Sequence, residues 1–507
     1  LRVESRLGSQ KGTARESDQR LVQTFPSIYA PAGQGDAALF EHLEFALRYE
    51  GVDLAALATI FAHVEPPRIG AWICERPSSK YARKLGFLYE WLTGLEIPLG
   101  TTLIRGAYEP ILDDTEYFTG SPVNVGRWHV RNNLLGTPDW CPVIHRATLS
   151  GEPIGTLDVA AALREARAHV PLDIFERALS YAYLAETQAS YAIEHDAPTP
   201  TQKHAFLRAL QTAGDLPVSA RLTPERLMEL QELVFHGVPT FVPQGVRAGD
   251  TFIGGAGRMG LRRVDYPCPP GRAIESLLRG LRDATAGRLG GQDVSPVVFA
   301  GAAAFGFVFV HPLNDGNGRV HRFLIHEALV ERGAVERGAL IPVSATMLAQ
   351  IREYDAALRA YSQPVRLAAE GIAGVPFALE STEPFSFPNY ERVAPLYRFP
   401  VLTDQIAYLE KAIKLSIAEN LLEESQYLVQ FDRARARVGA RINLPADRLD
   451  LLIQCIQQNG GVLSKLKRQR YFVDLSELAI RTAEEAVSSA FSPESLSRRR
   501  DHSSVGE

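Results

Sequence analysis

Cysteine is scarce in this chain. Four occur in 507 residues, Cys74, Cys141, Cys268 and Cys455, far apart and without a C-x-x-C pair. That argues against a disulfide framework and against a cysteine-based zinc site, and it suits a reducing, cytoplasmic setting. Charge of one sign is missing too. Lys and Arg number 54 against 59 Asp and Glu, a net charge of −5, so no global field draws the chain to nucleic acid or to an anionic membrane. Long apolar runs are also absent. The stretch Val297 to Val310 is apolar throughout but too short to cross a bilayer, and no signal peptide stands at the start. What remains is 46% apolar and 22% charged residues. This is the composition of folded domains with large cores, and the length suggests about three of them.

The apolar run is the organising feature. It reads as a buried core helix and leads into His311-Pro312-Leu313-Asn314-Asp315-Gly316-Asn317-Gly318-Arg319-Val320-His321-Arg322, after which a helical pattern resumes to Leu329. Gly316 and Gly318 permit positive φ and close backbone approach. Successive N–H groups there can form an anion nest, reinforced by the start of the second helix. Arg319 and Arg322 share a helical face suited to gripping phosphate oxygens. Asp315 is a hard oxygen ligand for a Mg²⁺ (or Mn²⁺) ion that keeps several waters, and His311 can accept a proton near pH 7. Taken singly, each residue has a plainer reading: a His-Pro helix stop and a Gly/Asn/Asp turn. Together they form an inventory for phosphoryl or nucleotidyl transfer.

The stretch resembles the Fic family signature, His-x-Phe-x-(Asp/Glu)-Gly-Asn-Gly-Arg-x-x-Arg, with Leu313 in place of Phe. The resemblance covers roughly residues 156 to 365. It implies a mainly α fold: a helical core with one β-hairpin. It implies transfer of AMP from ATP to a Tyr, Thr or Ser hydroxyl of a protein target, including the chain itself. His311 would be the base. Asp315 would carry the metal, and Gly316, Asn317, Gly318, Arg319 and Arg322 would hold the phosphates. Upstream, a helix from Leu172 ends at Ser190-Tyr191-Ala192-Ile193-Glu194-His195. Read alone, this is an ordinary helix end. Beside the signature it resembles the family's inhibitory element, (Ser/Thr)-x-x-x-Glu-(Gly/Asn), in which the Glu neutralises the second arginine; His195 departs at the last position. Thr251-Phe252-Ile253-Gly254 opens a stretch that also spells G-x-G-x-x-G over Gly255 to Gly260. The dinucleotide reading fails because Pro267, Pro269 and Pro270 follow where a helix is required. A hairpin with a glycine-rich tip fits, either structural or the family's flap, which docks an extended target by strand addition. By the same resemblance, Tyr354 and Leu358 are candidate adenine contacts, with ordinary core positions as the alternative.

The remaining segments carry less chemistry. Residues 1–20 read as a disordered leader and 492–507 as a disordered tail. Residues 21–155 form a first region of unassigned role, with helices at Leu39 to Tyr49, Leu54 to His63 and Lys80 to Leu92 and strand-like pieces at Thr101–Tyr108 and Trp128–Val130. Residues 156–365 are expected to be the catalytic domain. Residues 366–491 are expected to be a small helical or winged-helix domain, with Lys465, Lys467, Arg468 and Arg470 as a basic face for DNA or simply for solvent. Three alternatives to AMP addition stay open. They are AMP removal at the same site, transfer of the γ-phosphate, and a nucleotide-sensing regulator acting on DNA. A homodimer also stays open.

Overall fold

The computed structural model describes residues 2–7, 12–15, 20–25, 36–168, 170–235, 245–255, 261–380 and 383–491. Helix accounts for 58% and strand for 7%, so the expected mainly α class holds. The chain divides by contacts into two units, Leu1–Ala160 with Leu184–Lys414, and Ala161–Tyr183 with Leu415–Glu507.

The first unit opens with strands β1 (Arg2–Leu7), β2 (Gly12–Arg15) and β3 (Arg20–Phe25), sheet order β1-β3-β2. The expectation of a disordered leader gave weight to its polar composition. It overlooked the alternation of Val3 and Leu7 and the strand formers of Leu21-Val22-Gln23-Thr24-Phe25. Helices α1 (Asp36–Tyr49), α2 (Leu54–Phe61), α3 (Pro66–Cys74) and α4 (Lys80–Thr93) then pack around Phe40, Phe61, Trp72, Leu88 and Tyr89. Short strands β4 (Glu109–Pro110), β5 (Val123–Val125) and β6 (Val130–Asn132) form a small sheet. Thr101–Tyr108 is not a strand. Gly100 and Gly106 both take positive φ, and the buried Arg83 guanidinium claims the Ala107 carbonyl at 2.6 Å.

Two helices of this region straddle the division into units, α5 (Val159–Ala168) and α6 (Leu172–Ile193). The site-bearing core continues with α7 (Pro200–Gln211), α8 (Val218–Arg221), α9 (Pro224–Val234), strands β7 (Phe252–Ile253), β8 (Leu261–Arg263) and β9 (Tyr266–Pro267), and α10 (Gly271–Ala286). Next come α11 (Pro296–Val310), α12 (Asn317–Glu331), α13 (Val343–Ala349), α14 (Ile351–Ala368), β10 (Ala378–Glu380), α15 (Ala394–Arg398) and α16 (Thr403–Leu415). Helix α11 is apolar on every face, so only the centre of the fold can accept it; every residue from Val297 to Val310 is buried. Gly306 admits the Trp140 ring, which a Cβ there would meet at 2.6 Å. Helix α14 runs through Pro364 to Ala368.

The second unit holds α17 (Glu423–Gly439), α18 (Ala446–Gln457), α19 (Lys465–Tyr471) and α20 (Glu477–Ser488). Their core includes Phe431, Val438, Leu452, Ile456, Phe472 and Val487. The N-terminal half of α6 belongs here: Ile174 and Ala178 meet Leu428, and Arg177 pairs with Asp432 at 2.5 Å. Among the described residues this unit has no strand, so the wing of a winged helix is not among them. Of the expected basic face, Arg468 lies 3.5 Å from Glu477 and Lys467 bonds Gln458 at 3.0 Å; Lys465 and Arg470 are exposed.

Candidate active site

The site begins where α11 ends. Pro312 disfavours helical geometry in the residue before it, and His311 takes φ 50° and ψ 56°, the left-handed region. Its N–H still donates to Phe307 O at 2.9 Å. The ring Nδ1 lies 3.3 Å from Val308 O. A carbonyl can only accept, so Nδ1 carries the hydrogen and Nε2 keeps its lone pair. Burial, and next the positive charge of Arg247, lower the imidazole to about 4. Near pH 7 it is therefore neutral and able to take a proton.

The loop between α11 and α12 is braced from inside. The Asn317 side chain accepts from Leu313 N at 2.9 Å and donates to Leu313 O at 2.8 Å. Leu313, at the position of the signature Phe, is fully buried. Gln231 donates to Asp315 O at 2.9 Å and accepts from Gly245 N at 2.6 Å. The two glycines have different tasks. Gly316 takes φ 85° and makes the turn into α12. Gly318 lies in the helix and needs absence of bulk instead: a Cβ there would meet Glu194 Oε1 at 2.0 Å. Asp315 accepts from Gly316 N–H at 2.6 Å through Oδ1. Among the described residues its second oxygen has no hydrogen-bond partner, and the side chain is half-buried. Among the described residues no three potential ligands cluster. One carboxylate beside an anion nest suits Mg²⁺, which takes few protein ligands and fills its shell with water and phosphate.

Both arginines are buried. Arg322 donates from Nε to Ser190 Oγ at 2.9 Å and from Nη2 to Ser190 O at 2.6 Å and Glu194 Oε1 at 2.9 Å. Arg319 lies between the Tyr191 and Phe235 rings, 4.9 and 4.6 Å from their centroids, and reaches Asp196 at 3.4 Å. The end of α6 thus meets both cations with carboxylates. Ser190 and Glu194, singled out from sequence, are brought to Arg322; Asp196 was not singled out. His195 adopts φ 57°, the left-handed conformation that Gly or Asn supplies at least cost just past a helix end. The departure at this position is therefore in residue type and not in backbone geometry. We expect His195→Gly to stabilise the protein by about 1 kcal/mol, read as a higher urea midpoint at unchanged slope.

The same helix is held further back by a buried polar knot. Glu186 receives His326 Nε2 at 2.7 Å and Ser344 N at 2.7 Å, and the Ser344 hydroxyl as well. Tyr354 is buried beside Arg322, with its ring stacked 6.4 Å from His321 and tilted against Tyr408 at 5.9 Å. Burial raises its phenol and Arg322 opposes the rise. Leu358 follows one turn on and is half-buried.

The expected hairpin forms. β7 pairs antiparallel with β9, and the pairing extends through Cys268 N to Thr251 O at 3.0 Å and Arg263 N to Gly255 O at 2.9 Å. Its tip, residues 256–260, lies outside the described residues. A third strand was not foreseen: β10 covers the far edge by pairing with β8. Gly254 is required by contact, since a Cβ would stand 1.8 Å from Arg263 O. Ile253 is exposed. Arg247, missed from sequence, runs beneath this hairpin and binds His311 O at 2.6 Å. Local pattern in Gly245-Val246-Arg247 does not mark a charge for burial.

Comparison with known proteins adds a family. The model described as the Fic/DOC family matches residues 221–329. Among solved structures the chain is similar to a Fic family protein from Desulfovibrio desulfuricans G20, with 18% identity, TM-score 0.32, and 64% of this chain and 85% of that one covered. It is also similar to a Fic domain containing signaling protein from Bacteroides thetaiotaomicron VPI-5482, with 13% identity, TM-score 0.36, and 54% and 97% covered. No curated protein matches. No helix among the described residues is long and apolar enough to cross a membrane.

Proposed function

Residues 221–329 form a Fic/DOC family domain, and from that premise we propose that the chain transfers AMP from ATP to a hydroxyl of a protein target and is restrained by Glu194. One observation carries the proposal. The site already holds an anion of its own: the Glu194 carboxylate lies on Arg322 and against Gly318, over the first turn of α12. A carboxylate held by the buried Arg322 guanidinium at the start of a helix, with the buried Arg319 one turn before it, occupies a place suited to phosphate oxygens.

In the reaction, Nε2 of His311 removes the proton of the target hydroxyl. The hydroxyl oxygen forms a bond to the α-phosphorus, and pyrophosphate leaves in line. Arg319 and Arg322 neutralise charge on the phosphate chain, and the N–H groups at the start of α12 receive its oxygens. Asp315 would hold Mg²⁺ or Mn²⁺, which when bound adds further charge neutralisation. Positioning supplies much of the barrier reduction, of the order of 7 kcal/mol where the geometry is accurate. An extended segment of the target adds to the free edge of the hairpin. Thr251, Ile253 and Gly255 carbonyls face the second strand, so alternation turns the N–H and C=O of Phe252 and Gly254 outward to receive it.

The test is labelling of the purified Glu194→Gly protein with α-labelled and γ-labelled ATP in parallel, with and without EDTA. Label retained from the α position alone, and lost with EDTA, supports AMP transfer. Label from the γ position alone replaces it with phosphoryl transfer.

A further inference from the structure

Arg247 is a buried cation whose hydrogen bonds among the described residues all go to carbonyls. It is 3% exposed. Nε donates to His311 O at 2.6 Å, Nη1 to Gly249 O at 2.8 Å, and Nη2 to Pro269 O at 2.5 Å and Val310 O at 3.5 Å. Burial depresses its pKa. A buried charge without a partner carboxylate costs several kcal/mol unless fixed dipoles replace water, and an apolar side chain of similar volume would avoid the cost. The position therefore uses the charge.

The four carbonyls show how. Val310 and His311 are the last of α11, where terminal carbonyls lack helical partners and the dipole is negative. His311 is left-handed, a conformation that costs a side-chain-bearing residue about 1–2 kcal/mol. Arg247 holds that strained residue from two sides, because its own N–H also donates to Pro312 O at 2.9 Å. Gly249 and Pro269 are the two roots of the β7–β9 hairpin, one just before Thr251 and the other just after Pro267. One guanidinium thus grips the backbone of the base and both feet of the strand pair proposed to carry the target.

We infer that Arg247 is a positioning residue for the reaction: it sets His311 and the docking hairpin in one fixed register. The inference rests on the transfer and target docking proposed above, while its NMR readout is independent of both. Among the described residues two charged groups face the imidazole, Arg247 and Glu194, and they act in opposite directions. Work in the Glu194→Gly background leaves Arg247 alone.

The experiment follows the ¹³C-labelled His311 ring by NMR against pH in the full chain, assigned by His311→Ala, for Arg247→Met and Arg247→Lys. The pH profile of kcat is recorded on the same proteins. Removing a positive charge beside a base raises its pKa, so Arg247→Met is expected to move the His311 midpoint up by about one pH unit. The acid limb of kcat should move with it, and kcat should fall about a hundredfold. Arg247→Lys keeps the charge but cannot span four carbonyls. Its midpoint should stay near the parent value while kcat falls at least tenfold. An unmoved midpoint in Arg247→Met, or parent kcat in Arg247→Lys, overturns the inference. Should Arg247→Met fail to fold, Arg247→Lys decides alone. A Glu194→Gly parent that transfers no label defeats the proposed activity and leaves the NMR arm standing.

Discussion

Replacing Glu194 with Gly is expected to raise AMP transfer about tenfold or more. The carboxylate makes a charge-assisted bond to Arg322 at 2.9 Å, a class of bond worth about 1.5–3 kcal/mol. Its side chain is 36% exposed, so solvent screening favours the lower end of that range, which still corresponds to about tenfold. Steric exclusion acts in the same direction, because the carboxylate covers Gly318 and the helix start. The variant keeps Arg322 in place: both bonds to Ser190 remain, while Nη1, which has no hydrogen-bond partner among the described residues, can meet a phosphate. Initial rates with α-labelled ATP at saturating Mg²⁺ measure the effect. A rate equal to the parent's would assign the ion pair to holding α6 and not to restraint.

Replacing His311 with Ala is expected to cut transfer about a thousandfold, the usual scale for a lost general base, with no loss of fold. Among the described residues the side chain makes one long bond, to Val308 O at 3.3 Å. Alanine pays the same left-handed backbone cost, so the melting temperature should move little. The parent's pH dependence follows from the low imidazole pKa of about 4. The base is unprotonated, and the rate therefore flat, from about pH 5 through 8, falling only as pH drops towards 4. A thousandfold loss accompanied by a large fall in melting temperature would point to collapse of the loop. A rate near the parent's would place the base elsewhere.

The core helix, the loop and the second helix were legible because their signals are local. An all-apolar run, a His-Pro stop and a glycine turn each act within a few residues. Ser190 and Glu194 were singled out through their resemblance to the family's inhibitory element, since read alone their helix end is ordinary. The rest depended on contacts distant in sequence. Arg247 reaches His311 across 64 positions and Pro269 across 22, and nothing in Gly245-Val246-Arg247 marks its charge for burial. Asn317 was read for its backbone amide, whereas its side chain folds back on Leu313. That depends on the loop's closure. β10 was hidden inside a Pro- and aromatic-rich connector, because three residues suffice to cover β8 and leave no periodicity. Thr101–Tyr108 misled in the opposite direction: its strand formers Thr101, Thr102 and Ile104 suggest extension, but positive φ at Gly100 and Gly106 and the Arg83 grip on Ala107 keep it from extending.

The knot of Glu186, His326 and Ser344 bears on how the proposed restraint can be lifted. Its polar atoms are sealed from water and satisfied by one another, so pulling the C-terminal half of α6 away would strand a carboxylate in an apolar interior. Hinged removal of the whole helix is therefore the costly route. Torsions about the Glu194 side chain, beyond the last turn of α6 and already reached by solvent, cost far less. A nucleotide arriving at this site needs to displace one side chain from its rotamer and can leave the helix behind it docked.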